Sequence, residues 1–204
     1  MIASLRNTFI LSSTLLKRTF FRELLEAPYV TKETSPSLKI FGCNYQGNIS
    51  DFDKALGNTC SQYEKIVKAP LTCERFGCIN FTTSEQASKE KMEWSCFVVL
   101  DDPTVIEALQ TNSIPNHYSV DISPYNVLHC KMQHKNKMST LAAGIRVYPA
   151  FNRYIKKYTL PAITTSIELY YNDMRYLEYY AYLEGTEFFD SIRKNNPFIL
   201  TKDI

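Results

Sequence analysis

SIELYYNDMRYLEYYAYLE, residues 166–184, sets six tyrosines and three glutamates along one short run. Aromatic and β-branched residues favour a pleated surface, and Asn172-Asp173 interrupts the run where a tight turn would fit. The stretch therefore reads as a hairpin of two strands, 163–171 and 176–183. With the turn centred on Asp173 and Met174, Tyr171 pairs with Tyr176, and period-two alternation sorts the side chains into two sets. One set holds Ile167, Leu169, Tyr171, Tyr176, Glu178, Tyr180 and Tyr182. The other holds Ser166, Glu168, Tyr170, Leu177, Tyr179 and Ala181. Each face carries one glutamate.

Working backwards from the hairpin, Asn126–Gln133 reads as a strand. A helical stretch runs from Ser139 to Leu160, with Leu141, Ile145, Phe151, Tyr154 and Ile155 on its apolar side. Pro149 inside it predicts a kink or short break. The same order appears earlier in the chain. Residues 39–46 read as a strand. Ser50 is placed to cap a helix carrying Phe52, Leu56, Tyr63, Ile66 and Val67, which Pro70 stops. Residues 72–82 and 94–100 read as two strands joined by the polar segment 83–91. Tyr63-Glu-Lys-Ile-Val-Lys-Ala-Pro echoes Tyr154-Ile-Lys-Lys-Tyr-Thr-Leu-Pro. The chain is thus a duplicated βαββ unit, with 101–124 as the crossover and a further strand at 29–34. That order predicts an α+β domain: an antiparallel sheet with both helices on one face and a concave groove on the other.

Composition agrees with one globular domain over 27–186, preceded by segment 1–26 and followed by an extension, 187–204. Hydrophobic residues are 45% and charged residues 22% of 204, and a net charge of +2 gives no nucleic-acid surface. The basic clusters Lys131, His134, Lys135, Lys137 and Arg153, Lys156, Lys157 read as solvated faces. Six cysteines form no CxxC pair, so they read as free thiols rather than a zinc site, and no metal or cofactor is expected. Asn48-Ile-Ser and Asn80-Phe-Thr fit the glycosylation sequon, which matters only in a secretory lumen. Residues 1–22 carry Arg6, Lys17, Arg18 and Arg22 and no acid. That suits a targeting segment or a helix at a membrane surface, and is too short and interrupted to span a bilayer.

Three stretches resemble the gyrase-inhibitor-like (GyrI-like) superfamily, which shares the duplicated βαββ architecture with SOUL haem-binding proteins. Arg146-Val147-Tyr148-Pro149-Ala150 with Tyr154-Ile155-Lys156 is similar to the helix of its testis-expressed, endoplasmic-reticulum-anchored branch, which includes an ER-phagy receptor. Ile167-Glu168-Leu169-Tyr170-Tyr171-Asn172-Asp173 resembles that branch's Leu-Glu-Ile-Tyr strand and acidic turn. Glu178-Tyr179-Tyr180-Ala181-Tyr182-Leu183 sits where the wider superfamily has a Glu-Ile-Tyr-Ile-Pro-Leu strand. The resemblance implies a non-enzymatic binding or adaptor module, an ER-associated location facing the cytosol, and an autophagy-related partner. The basic N-terminus would place it at mitochondria instead. The branch's membrane-spanning helix and long C-terminal tail have no counterpart here. The nearest substitute for the tail's binding motif is Phe189-Asp190-Ser191-Ile192, with Phe189 and Ile192 as the interaction pair and a helical end-cap as the alternative.

The hairpin also suggests a small lipophilic ligand. Aromatic rings offer flat apolar area and a negative face, and a carboxylate among them suits a lipophilic cation. The candidates are Glu178, Tyr176, Tyr180 and Tyr182, or Glu168 with Tyr170. Glu178 is favoured because three tyrosines share its strand and face, and because a carboxylate facing the helix layer is costly unless paired. Superfamily members that act as hydrolases imply a third reading, Glu178 with a tyrosine hydroxyl as an acid–base pair. No nucleophile–base–orienter set accompanies His117, His129 or His134, so no catalytic residue is assigned. His129-Cys130 is the one place where a haem could be ligated, and it reads as core.

Overall fold

The computed structural model describes residues 28–68, 75–81, 92–102, 105–106, 109, 114–133, 137–171 and 176–204. The expectations for 1–26, for segment 83–91 and for the Asn172-Asp173 turn lie outside them. Among the described residues nine strands form one sheet: β1 (Thr31–Thr34), β2 (Leu38–Gly47), β3 (Arg75–Asn80), β4 (Met92–Val99), β5 (His117–Ile122), β6 (Asn126–Gln133), β7 (Ser166–Tyr171), β8 (Tyr176–Tyr182) and β9 (Phe198–Leu200). Helices α1 (Phe52–Val67), α2 (Lys137–Tyr158) and α3 (Thr186–Asn195) complete the described elements.

The spatial order β1-β6-β8-β7-β3-β4-β2-β5 makes the duplication visible. β2-α1-β3-β4 and β6-α2-β7-β8 are the two units, and they meet at the antiparallel β3–β7 seam. Gly77 sits opposite Leu169 there, and a β-carbon on it would run into the Glu168 carbonyl oxygen and lie 2.8 Å from the Phe97 ring. The two halves close together because nothing projects at that point.

Helices α1 and α2 cover one face. Tyr63 packs with Phe41 and Val98, and Ala55 with Cys43, Tyr45, Trp94 and Cys96. Val147 and Phe151 pack with Leu128, Cys130, Leu177 and Tyr179. α2 runs through Pro149 without the expected break. Pro149 and Ile145 are both exposed, so the Ile145 carbonyl that loses its partner lies on the solvent side. Ile145, placed on the apolar stripe from sequence, is 60% exposed; Val147 and Ala150 take the buried positions. Ser50 does not cap α1; its hydroxyl bonds Asn48 within a 3-10 turn, Ile49–Asp51.

Two parts of the chain differ from the sequence expectation. The crossover contains β5, which adds to the free edge of β2 through Tyr118, Val120 and Ile122. The segment after Thr186 is built into the fold. Gly185, with φ of 77° and Tyr125 packed against it, turns the chain into α3 across the face opposite α1 and α2. Phe189 is wholly buried against Tyr182 and Tyr125, and Ile192 joins the same core. Asn44 of β2 donates through Nδ2 to the Ile192 and Asn196 carbonyls at 3.2 and 3.0 Å, satisfying the end of the helix. The chain then adds β9 parallel to β2. Phe189 and Ile192 therefore anchor α3 and are not presented as an exposed interaction pair.

Candidate functional site

The hairpin's alternation is realised. Ile167 lies opposite Tyr180, Glu168 opposite Tyr179 and Leu169 opposite Glu178. Ile167, Leu169, Tyr171, Tyr180 and Tyr182 pack in the core under α3, and Tyr170, Leu177, Tyr179 and Ala181 in the core under α2. Glu168 and Tyr170, two of the ligand-site candidates, thus face the helix layer. Tyr148 of α2 donates its hydroxyl to Glu168 Oε1 at 2.6 Å, Asn80 Nδ2 to the same oxygen at 3.2 Å, and Tyr170 to Oε2 at 2.8 Å. A carboxylate under a helix is tolerable here because three donors meet it. Burial, then the charge of Glu168, pushes the Tyr148 and Tyr170 hydroxyls well up, so both remain donors. Asn80 of the second sequon is held in this network.

Glu178 lies on the sheet face opposite α1 and α2, in the alternation set of Leu169, Tyr180 and Tyr182. Its strand neighbours are β6 and β7, and the register brings Lys131 directly opposite it. Tyr180 and Tyr171 donate their hydroxyls to Oε2 at 2.7 and 2.8 Å. Lys131 Nζ lies 3.0 Å from Oε1, and 4.3 Å from the centre of the Tyr176 ring. Glu178 is 7% exposed, whereas Tyr176 is 41% exposed. On the far side of Tyr180, His129 stacks on its ring at 4.7 Å and pairs through Nδ1 with Glu33 of β1 at 2.9 Å. Tyr182, expected in the same site, is buried beneath Phe189.

Burial alone would push the Glu178 carboxyl up. Hydrogen bonds from Tyr180, Tyr171 and Lys131, with the lysine's charge, outweigh it and hold the group below its ordinary 4.5. The folded value is the lower one, so the stabilisation is complete above 4.5 and is lost as pH falls through the folded value. Glu178→Gln removes that component. Urea denaturation across pH 2–6 is therefore expected to show a shallower acid loss in the variant than in the wild type; parallel curves would contradict the assignment.

Among the described residues no cysteine is an activated nucleophile. Burial raises Cys43, Cys60 and Cys130 to about 11, and Cys78 and Cys96 well above their ordinary value. Among the described residues no cluster of His, Cys, Asp or Glu could hold a metal ion, and no helix is long and apolar enough to cross a membrane. What the Glu178 site can do is hold a monovalent cation between a shielded carboxylate and aromatic faces. Tyr171 was on the correct face in the sequence; Lys131 was missed, because pairing of β6 with β8 brings it in from 47 residues away.

No protein-family model matches the chain, and no curated protein matches its sequence. Solved structures do match. The EcmrR C-terminal domain superposes with a TM-score of 0.52 at 11% identity, over 77% of this chain and 98% of that domain. EcmrR in its DNA complex gives 0.55 at 9% identity, over 87% of this chain and 66% of that one. A hydrolase encoded by lin2189 from Listeria innocua gives 0.50 at 9% identity, over 81% and 96%. The fold is GyrI-like. At these identities the likeness reaches the fold alone, and the ER-phagy branch finds no support in it.

Proposed function

We propose that the chain is a non-enzymatic small-molecule-binding domain that takes a lipophilic organic cation at Glu178, on the sheet face opposite α1 and α2. The observation that carries the reading is the Glu178 carboxylate itself. It is ionised, nearly enclosed, turned away from α1 and α2, and flanked by tyrosine rings that already accommodate an ammonium group. The GyrI-like fold supports it, since the resemblance noted in the sequence implies aromatic pockets with an acidic residue. Binding is favoured over hydrolysis because, against burial, two phenol donors and the lysine hold the Glu178 carboxyl low, which makes it a weak base, and burial pushes the Tyr180 hydroxyl up, which makes it a weak acid. An adaptor role through Phe189 and Ile192 is disfavoured by their burial.

Tetraphenylphosphonium is a suitable probe, being a rigid aromatic cation without hydrogen-bond donors. At a hundredfold excess over its Kd it is expected to raise the melting temperature of the wild type by about 5–10 °C. Glu178→Gln, which keeps the shape and removes the charge, should lose most of that shift. An equal shift in both proteins would overturn the reading, as would no shift in either.

A further inference from the structure

We infer that Lys131 is the resident cation of the Glu178 site, a tethered ammonium that an external cation must displace in order to bind. The inference rests on the binding reading above and adds a competitor to it.

Three features of the geometry carry it. First, the carboxylate is divided between two kinds of partner. Tyr171 and Tyr180 both donate to Oε2, while the Lys131 ammonium takes Oε1. Second, that ammonium is also 4.3 Å from the Tyr176 ring centre and 6.0 Å from that of Tyr171. Carboxylate on one side and ring faces on the other is the environment an organic cation requires, and a primary ammonium already occupies it. Third, Lys131 is the partner able to leave. Its side chain is 48% exposed, against 9% for that of Glu178. Its flexible stem can carry the charge out into water, where an ammonium is well solvated. Glu178 cannot follow, since two hydroxyls hold it. With Lys131 withdrawn, the carboxylate keeps its Oε2 donors and presents Oε1 to whatever cation replaces the lysine.

The size of the effect follows from occupancy. If Lys131 holds Oε1 for about nine-tenths of the time, the competent fraction is about one-tenth, and the apparent Kd of an external cation is raised about tenfold. A neutral ligand of similar bulk does not compete for Oε1. Lys131 therefore sets both affinity and charge preference, so that a simple metal cation or a small hydrated amine gains too little from the rings to displace it.

Isothermal titration with tetraphenylphosphonium and with uncharged triphenylphosphine oxide tests this on wild type, Lys131→Met, and Lys131→Met combined with Glu178→Gln. Lys131→Met should bind the phosphonium about tenfold more tightly than wild type, with no gain for the phosphine oxide. The double variant should lose the gain. Unchanged or weaker phosphonium binding in Lys131→Met, with wild-type binding intact, would overturn the inference alone. So would an equal gain for the neutral probe, which would mean added space and not removal of a competing charge. Absence of binding to every folded variant would remove the binding reading beneath it. Should Lys131→Met not fold, the native chain serves. After reductive ¹³C-methylation, the Lys131 signal, identified by its loss in Lys131→Arg, should move to the position of exposed lysines when phosphonium saturates the site. A signal that stays in place at saturation would refute displacement.

Discussion

Phe189→Ala is expected to destabilise the domain by about 3–5 kcal/mol, the range for truncating a fully buried phenylalanine. The side chain has no exposed surface and meets Tyr182 at 4.5 Å and Phe188 at 5.4 Å between ring centres. A ten-residue helix is marginal alone, so α3 stays on the sheet through its packing and not through its own propensity. The loss should accordingly be local as well as global. Amide exchange in 186–200 should accelerate in the variant more than in β3 and β7, because Asn44 and β9 hold the helix only while its apolar face is seated. Urea denaturation and hydrogen exchange measure the two parts. A cost under about 1 kcal/mol, typical of a surface truncation, would mean that α3 is a dispensable appendage.

Glu168→Ala is the second large effect, expected at about 2–4 kcal/mol. The charge itself is not the reason. Removing the carboxylate strands the Tyr170 hydroxyl under α2 and takes one acceptor from Tyr148 and Asn80, which keep only each other and Ser166; a buried donor left without a partner costs about 1–3 kcal/mol. Full additivity does not hold, since the loosened helix can admit water to some of them. Glu168→Gln retains an acceptor and should cost less than half as much. In a double-mutant cycle with Tyr148→Phe, the combined loss should fall well short of the sum of the single losses, because both changes break the 2.6 Å bond. Additive losses would separate the two residues and contradict the network. Measured beside Glu178→Gln, this separates a structural glutamate from the proposed binding one. Glu168 substitutions move stability alone, and Glu178 substitutions also move ligand response.

Much of the architecture could be read along the chain because its signals are local. Asn126–Gln133 was delimited to the residue, and alternation in 166–184 sorted both faces of the hairpin as they stand in the structure. The misses are instructive. β5 carries the same alternation, Tyr118, Val120 and Ile122 against His117, Ser119 and Asp121, but it is short and lies inside a long connection. Ile145 fell on the apolar stripe by periodicity, yet the sheet meets α2 along Val147 and Phe151. A stripe gives the period of burial without its phase when apolar residues lie on more than one side.

What the amino-acid order determined by itself was the duplicated βαββ unit, the GyrI-like resemblance, and the presence of one glutamate on each face of the last hairpin. Those rest on periods of two and 3.6 residues, which belong to the backbone and are visible in any window. Only the tertiary structure decided which glutamate faces α2, that Lys131 meets the other, and that α3 returns across the opposite face to bury Phe189 and Ile192. Each of these depends on contacts between segments far apart in the chain: β6 beside β8, α2 over β7, α3 over β8 and β2. Such contacts are chosen by the combined burial and hydrogen-bond satisfaction of the whole core, a sum that no single stretch contains.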